Sequence, residues 1–215
     1  MRTPELLIFD FHDTILAPYD VPELPTRENA KIGWLSSKDN GTDQGITSIK
    51  CGFRENGEKV TLEPLPGVIE TFQHLWLHHP DIKIAIASTA YTEFSERCTK
   101  EAIALFQVHR TVGFEDLFAR NWPDRVVKAG QHLQIGRRPP LSTDKSKSHI
   151  PKIKDMSGIP YSQMIFFDDC LTRDHVTMVE ENLPEVTCVR CPTGLTVEKL
   201  NEGLQKFDAR CTNEN

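Results

Sequence analysis

The apolar positions of this chain fall into two kinds of run. One kind is short and uninterrupted: Leu6-Leu7-Ile8-Phe9, then Ile84-Ala85-Ile86-Ala87, then Met164-Ile165-Phe166-Phe167. Runs of this length predict strands buried on both faces, as in a parallel sheet. The other kind recurs every three or four residues, as in Val68, Ile69, Phe72, Leu75 and Trp76, and predicts a helix over 68–79 that Pro80 ends. The same spacing predicts helices over 93–106, 146–156 (Ile150 and Ile153 inward), 172–182 and 196–207. A further strand is expected over 185–189 and a short edge segment over 108–114. Strands alternating with helices in this way predict an α/β fold, a doubly wound (Rossmann-like) parallel sheet.

Two stretches interrupt the pattern. Residues 17–47 are rich in Pro, Gly, Asp, Asn and Ser and read as a long irregular excursion, the kind that tends to be functional or disordered. Directly after it, two alternating runs flank Asn56-Gly57, a strong hairpin signal, and predict a small β-hairpin cap above the end of the first strand. Over 121–146 the pattern is weak: Val126-Val127 suggests a strand and Gly136-Arg137-Arg138-Pro139-Pro140 a loop. The expected organisation is a single domain over 1–210 with an insertion at 17–63, and a flexible tail at 211–215.

Composition narrows the class. The 215 residues are 38% hydrophobic and 26% charged, ordinary for a globular protein. The net charge of −6 offers no basic field for nucleic acid or an acidic membrane surface. Only four apolar residues precede Asp10, too few for a signal peptide, and no run approaches a membrane span. Six scattered cysteines then read as reduced thiols, and the Asn40-Gly41-Thr42 sequon as a turn. The expected location is cytoplasmic or nuclear, and not secreted.

The candidate chemistry lies where the buried runs end. Asp10 follows the first, Ser88 and Thr89 close the second, and Asp168-Asp169 closes the third. An ionised carboxylate is costly to bury unpaired, and the carboxyl ends of the strands in open α/β sheets are where ligands bind. Carboxylates brought together there need a raised pKa or a cation. Mg²⁺ suits them, as a hard ion taking one or two carboxylates, waters and a substrate phosphate.

The order Asp-x-x-x-Thr (Asp10 to Thr14), then Ser88, then lysine, then Asp168-Asp169 resembles the haloacid dehalogenase superfamily. Residues 162–169 and 186–189 resemble its magnesium-dependent phosphatases with a small hairpin cap. The resemblance implies Mg²⁺-dependent hydrolysis of phosphomonoesters, small or carried on a protein, through an aspartyl-phosphate on Asp10. It implies Asp10, Asp168 and Asp169 as metal ligands, the carbonyl of residue 12 as a further one, and Ser88 and Thr89 on the phosphate. Lys147, just ahead of His149, is the preferred phosphate-binding lysine, with Lys145 the alternative. His12 departs from the family, which places a second aspartate there as acid and base. Imidazole can serve at neutral pH; alternatively Asp13 takes the role, or the chain binds phosphate with little or no turnover and acts as a regulatory protein. Dehalogenation is disfavoured, since halide displacement has no use for the Asp168-Asp169 pair.

Other residues have plainer readings. Arg54 on the hairpin is a candidate substrate contact. Arg137 and Arg138 read first as a solvated loop, with a phosphate or acidic partner as the alternative. Cys188-x-x-Cys191 has half a zinc spacing and reads as core and strand-end cysteine. His74 and His78, four apart on a helix, read as a solvated face.

Overall fold

The computed structural model describes residues 2–18, 21–35, 44–90 and 92–213. The sequon and the stretch from Ser36 to Gly41 lie outside them.

The chain opens with β1 (Leu6–Phe9), β2 (Leu16–Ala17), β3 (Ala30–Trp34), β4 (Gln44–Phe53) and β5 (Lys59–Pro64). It continues through α1 (Val68–His78), β6 (Lys83–Ser88), α2 (Glu93–Leu105), β7 (Gln107–His109), β8 (Val112–Gly113), α3 (Phe114–Ala119), α4 (Asp124–Lys128) and β9 (Leu133–Ile135). It closes with α5 (His149–Ser157), β10 (Met164–Asp168), α6 (His175–Asn182), β11 (Thr187–Arg190) and α7 (Val197–Asn213). The main sheet has five strands in the order β11-β10-β1-β6-β9, all parallel.

The uninterrupted runs are explained by burial on both faces. Leu7, Phe9, Ile84, Ile86, Ile165 and Phe167 pack into one core with residues of α1, α2, α3 and α7. Their neighbours Leu6, Ile8, Ala85, Ala87, Met164 and Phe166 pack into a second, against Val126, Ile150, Ile153, Val176 and Val179. Alternate residues of each strand therefore feed opposite cores, as the period of two requires.

The connectivity creates a switch point. From β1 the chain moves outward to β6 and β9, then returns to β10 on the other side of β1 and moves outward again to β11. Chain ends diverge between β1 and β10, and a crevice opens at their carboxyl ends. Asp10 follows one strand and Asp168 ends the other.

Several expectations need correction. The excursion at 17–47 is not irregular throughout: β3 pairs antiparallel with β4, and the expected hairpin of β4 and β5 is the centre of a four-stranded sheet, β2-β5-β4-β3. Its turn is built as expected, with Gly57 at φ 80 and the Glu58 amide donating to Asn56 Oδ1 at 3.0 Å. Val126 and Val127 lie in α4, entered through Pro123, and the strand of this region is β9. The edge segment at 108–114 is a separate hairpin, β7-β8, followed by α3. The tail is helical up to Asn213, with Cys211 buried and its carbonyl accepting from Arg2 Nη1 at 2.7 Å.

Candidate active site

Asp10 is placed by the sheet itself. Its amide donates to the Phe167 carbonyl at 2.9 Å, continuing the β1–β10 ladder one residue past the strand. The chain then reverses in a tight turn, in which the Ile15 and Leu16 amides donate to the Phe11 carbonyl and Asp13 takes φ 56. Thr14, fully buried, explains the fourth position after Asp10. Its Oγ1 accepts from the Asp169 amide at 3.0 Å, and its carbonyl accepts from the Leu195 amide at 2.8 Å. The hydroxyl thus pins the turn after β1 to the turn after β10.

That second turn is equally constrained. Cys170 takes φ 60, while its amide donates to Asp168 Oδ1 at 2.9 Å and the Leu171 amide donates to Asp169 Oδ2 at 2.8 Å. A non-glycine residue held in the left-handed region stores strain of the kind that collects at functional sites. Asp10, Asp168 and Asp169 emerge as a buried group whose potential ligand oxygens lie within 4.8 Å of one another.

Lys145 lies against this group. Its Nζ donates to Asp10 Oδ1 at 2.6 Å and to Asp168 Oδ2 at 2.7 Å, and its side chain is 1% exposed. The preference for Lys147 is corrected by position: that side chain is 69% exposed and pairs with Asp144. The inward turn comes from Asp144, whose Oδ1 accepts from the amide and hydroxyl of Ser146. This Asx-type turn fixes the backbone on both sides of Lys145. His149, which made Lys147 attractive, is structural. Its Nε2 faces the carbonyls of Ser88 and Gly136 at 3.2 and 3.1 Å, so that nitrogen carries the hydrogen, and α5 is tied to the ends of β6 and β9.

The electrostatics suit a cation. Burial drives the Asp10 carboxyl upward, opposed by Lys145 and reinforced by Asp168 and Asp169. Burial, with the charge of Asp168, also raises Asp169. Burial alone would lower Lys145, yet Asp10 and Asp168 hold its ammonium above its ordinary value. One ammonium against three carboxylates leaves two negative charges, and like charges so close must share a proton or take a cation. The donors are hard oxygens, the set Mg²⁺ favours. The residues present fit that ion.

His12 and Ser88 meet on the opposite side. Thr99 Oγ1 donates its single hydrogen to the Ser95 carbonyl at 2.9 Å, so its contact with His12 Nε2 at 3.1 Å requires Nε2 to be the donor. Nδ1 is then an acceptor, and Ser88 Oγ, 3.4 Å away, is placed to donate to it. Burial, followed by the charge of Lys145, pushes the His12 imidazole down to about 4. His12 is therefore a neutral base with its lone pair toward Ser88. With Pro18, Val21 and Leu62, from the segment around the second sheet, it lines a small cavity. Thr99 and Lys145 are the residues that pattern reading missed or ranked second. Nothing in their local sequence marks them.

Asp10, His12, Ser88, Thr89 and Asp169 line a cleft of about 460 Å³, a size that admits a small organic molecule. Asp13 also lines it, so the turn does bring that carboxylate to the same opening. Arg54 is elsewhere: it pairs with Glu58 at 3.1 Å and lines a separate surface depression with Val21 and Phe53. Arg137, read first as a solvated loop residue, instead lines the cleft, whereas Arg138 pairs with Glu93 and Glu96. Cys188 and Cys191 are buried free thiols, and the rings of His74 and His78 lie 4.6 Å apart between centroids, tilted at 47°.

A stretch of 60 residues is 35% identical to Magnesium-dependent phosphatase 1 of Homo sapiens, covering 28% of this chain and 32% of that protein. The matched part is thus about a third of that relative's length. The family model for acid phosphatase matches residues 2–210. That match runs through both larger sheets and into the last turns of α7, and on that extent the chain belongs to the acid phosphatase family.

Proposed function

We propose that this protein is a Mg²⁺-dependent phosphomonoester hydrolase that works through an aspartyl-phosphate on Asp10. The observation that carries the reading is the Asp10 carboxylate, fixed beyond a buried strand and held 2.6 Å from a buried ammonium, yet open to the cleft. Asp10, Asp168 and Asp169 would hold the ion, which offsets charge on the phosphoryl oxygens.

In the first half, an Asp10 oxygen forms a bond to phosphorus as the bond to the leaving oxygen breaks. Lys145 keeps the nucleophile oriented and, with Ser88, opposes the charge on the transferred group. The leaving oxygen takes its proton from His12 when Nδ1 carries one. In the second half, water attacks phosphorus, its proton passes to Nδ1, and Asp10 is released with orthophosphate. The low basicity of His12 suits taking that proton only weakly, and favours the neutral imidazole at physiological pH.

The test is hydrolysis of para-nitrophenyl phosphate with and without Mg²⁺. Wild type should turn over only with the ion, and Asp10→Asn should fold normally and show no turnover; full activity in that variant would overturn the reading. One observation favours a second reading, a phosphate-binding or regulatory protein: the neutral histidine where an acid would serve. An inert wild type alongside an active His12→Asp variant would establish it.

A further inference from the structure

One residue of the cleft wall is unaccounted for by the groups already described. His175 lines the cleft and is 4% exposed, and its Nδ1 is enclosed with no hydrogen-bond partner among the described residues. A buried polar atom left alone costs free energy, and an apolar side chain of similar shape would remove that cost. Packing therefore does not explain a histidine here. The ring's other nitrogen does.

The ring is held on a fixed turn. His175 is the first residue of α6, and its amide donates to the Arg173 carbonyl at 2.8 Å. Asp174, just ahead, caps the helix by accepting from the Thr177 amide at 3.0 Å, and is itself paired with Arg190 at 2.6 Å. Thr172 and Arg173, on the approach to the helix, line the cleft too. With Nδ1 enclosed, Nε2 is the nitrogen that the ring can present to the cleft. A neutral imidazole carries one hydrogen, and a buried N–H without an acceptor is the rarer defect, so the hydrogen belongs on Nε2.

The surroundings say what that hydrogen meets. Burial does most to keep the ring neutral, followed by the charge of Lys145; Asp168 acts against them, Arg173 with them and Asp144 against. Both acids already have donors at each oxygen. Asp168 Oδ1 accepts from the Cys170 amide and Oδ2 from Lys145, while Asp144 Oδ1 accepts from Ser146 and Oδ2 faces Lys147 at 3.3 Å. Lys145 also bonds Asp10, so a phosphoryl group arriving at Asp10 enters the same field as His175.

We propose that His175 is a phosphate-binding residue of this site, whose Nε2–H donates to an oxygen of the transferred phosphoryl group beside Lys145. This rests on the reading of the cleft as a phosphate site and adds a residue to it.

Inorganic phosphate, which has no leaving group, isolates the contact. In calorimetric titrations with Mg²⁺ at pH 7.5, His175→Phe, which keeps an aromatic ring but no nitrogen, should bind phosphate about tenfold more weakly than wild type, as expected for a hydrogen bond to a charged acceptor. His175→Gln, whose side-chain amide can stand in for Nε2–H, should recover most of the loss, which a purely structural role would not predict. Nitrogen-15 NMR of wild type, independent of how the variants fold, should show the Nε2–H tautomer and a resonance that moves on addition of phosphate. Equal phosphate affinity in wild type and His175→Phe would overturn the proposal. So would a hydrogen on Nδ1, or a ring that does not respond to phosphate. A protein that hydrolyses no ester yet binds phosphate through His175 loses the phosphatase reading alone. One that hydrolyses esters, with phosphate affinity unchanged in His175→Phe, loses this proposal alone.

Discussion

Single residues show how narrowly the site is specified. Lys145 and Lys147 are two positions apart in a Ser- and Lys-rich stretch, and their local surroundings are nearly alike. An Asx-type turn at Asp144 sends one into the carboxylates and leaves the other in solvent. Thr99 carries more consequence than its position suggests. By giving its hydrogen to Ser95 it compels His12 Nε2 to donate, and this keeps Nδ1 available as a base. Thr99→Val should therefore lower kcat by about tenfold or more, within the usual worth of a positioned base, while Thr99→Ser retains most of it. Nitrogen-15 NMR of the imidazole is the accompanying readout: a single Nε2–H tautomer in wild type and the serine variant, a mixture in the valine variant. An unchanged kcat in Thr99→Val would show that the tautomer does not matter.

Among the elements, α7 shows how helix and sheet constrain each other. Gly203 lies on its inner face, where a Cβ would come within 2.8 Å of Phe167 Cζ and 3.1 Å of Val189 Cγ2. Alanine would gain about 1 kcal/mol of helix propensity there. It would also overpack a core whose Phe167 is fully buried, at a typical cost of about 1–3 kcal/mol. The overpacking wins because Phe167 is itself fixed between Phe9 and α7. Gly203→Ala should therefore lower the urea midpoint with little change in slope, and a rise would show that the helix can shift outward. The same element also marks a limit of pattern reading. Its last turn is held by Arg2 and by Arg210, which donates to the carbonyls of Glu185 and Ser162, partners distant in sequence that no local period reveals.

The molecule as a whole should be sensitive to acid. Burial holds His12, His132, His149 and His175 down to about 4, against an unfolded value near 6.5. Each therefore contributes stability that is complete above about pH 6.5 and is lost as pH falls toward 4, since the unfolded chain binds protons the native state refuses. Asp10 and Asp169, raised in the fold, act in the opposite direction, Asp10 between its ordinary value of 3.8 and about 8. His74 and His79 are also held below their ordinary value, so the lowered histidines outnumber the two raised carboxyls and unfolding takes up protons as the pH falls. Urea denaturation at pH 7.5, 6 and 5 without Mg²⁺ should show the midpoint falling, and a flat profile would mean that these histidines are protonated in the native state.

The sequence by itself determined what local period and covalent order control. Uninterrupted runs such as Leu6 to Phe9 can satisfy both faces only inside a parallel sheet, so the fold class and the ends bearing Asp10, Ser88 and Asp168 were legible. The hairpin at Asn56-Gly57 was legible because its turn needs a residue tolerant of positive φ. Tertiary structure decided the rest. Strand β9 has three residues and no period of its own, and exists because β6 has an edge for it to pair with. Val126 favours strands locally but is drawn into a helix by burial beneath the sheet. The choice of Lys145, the tautomer of His12 and the two arginines on the cleft all depend on groups far apart in the chain. Their energies come from charge and hydrogen-bond distance in space, which separation along the sequence does not encode.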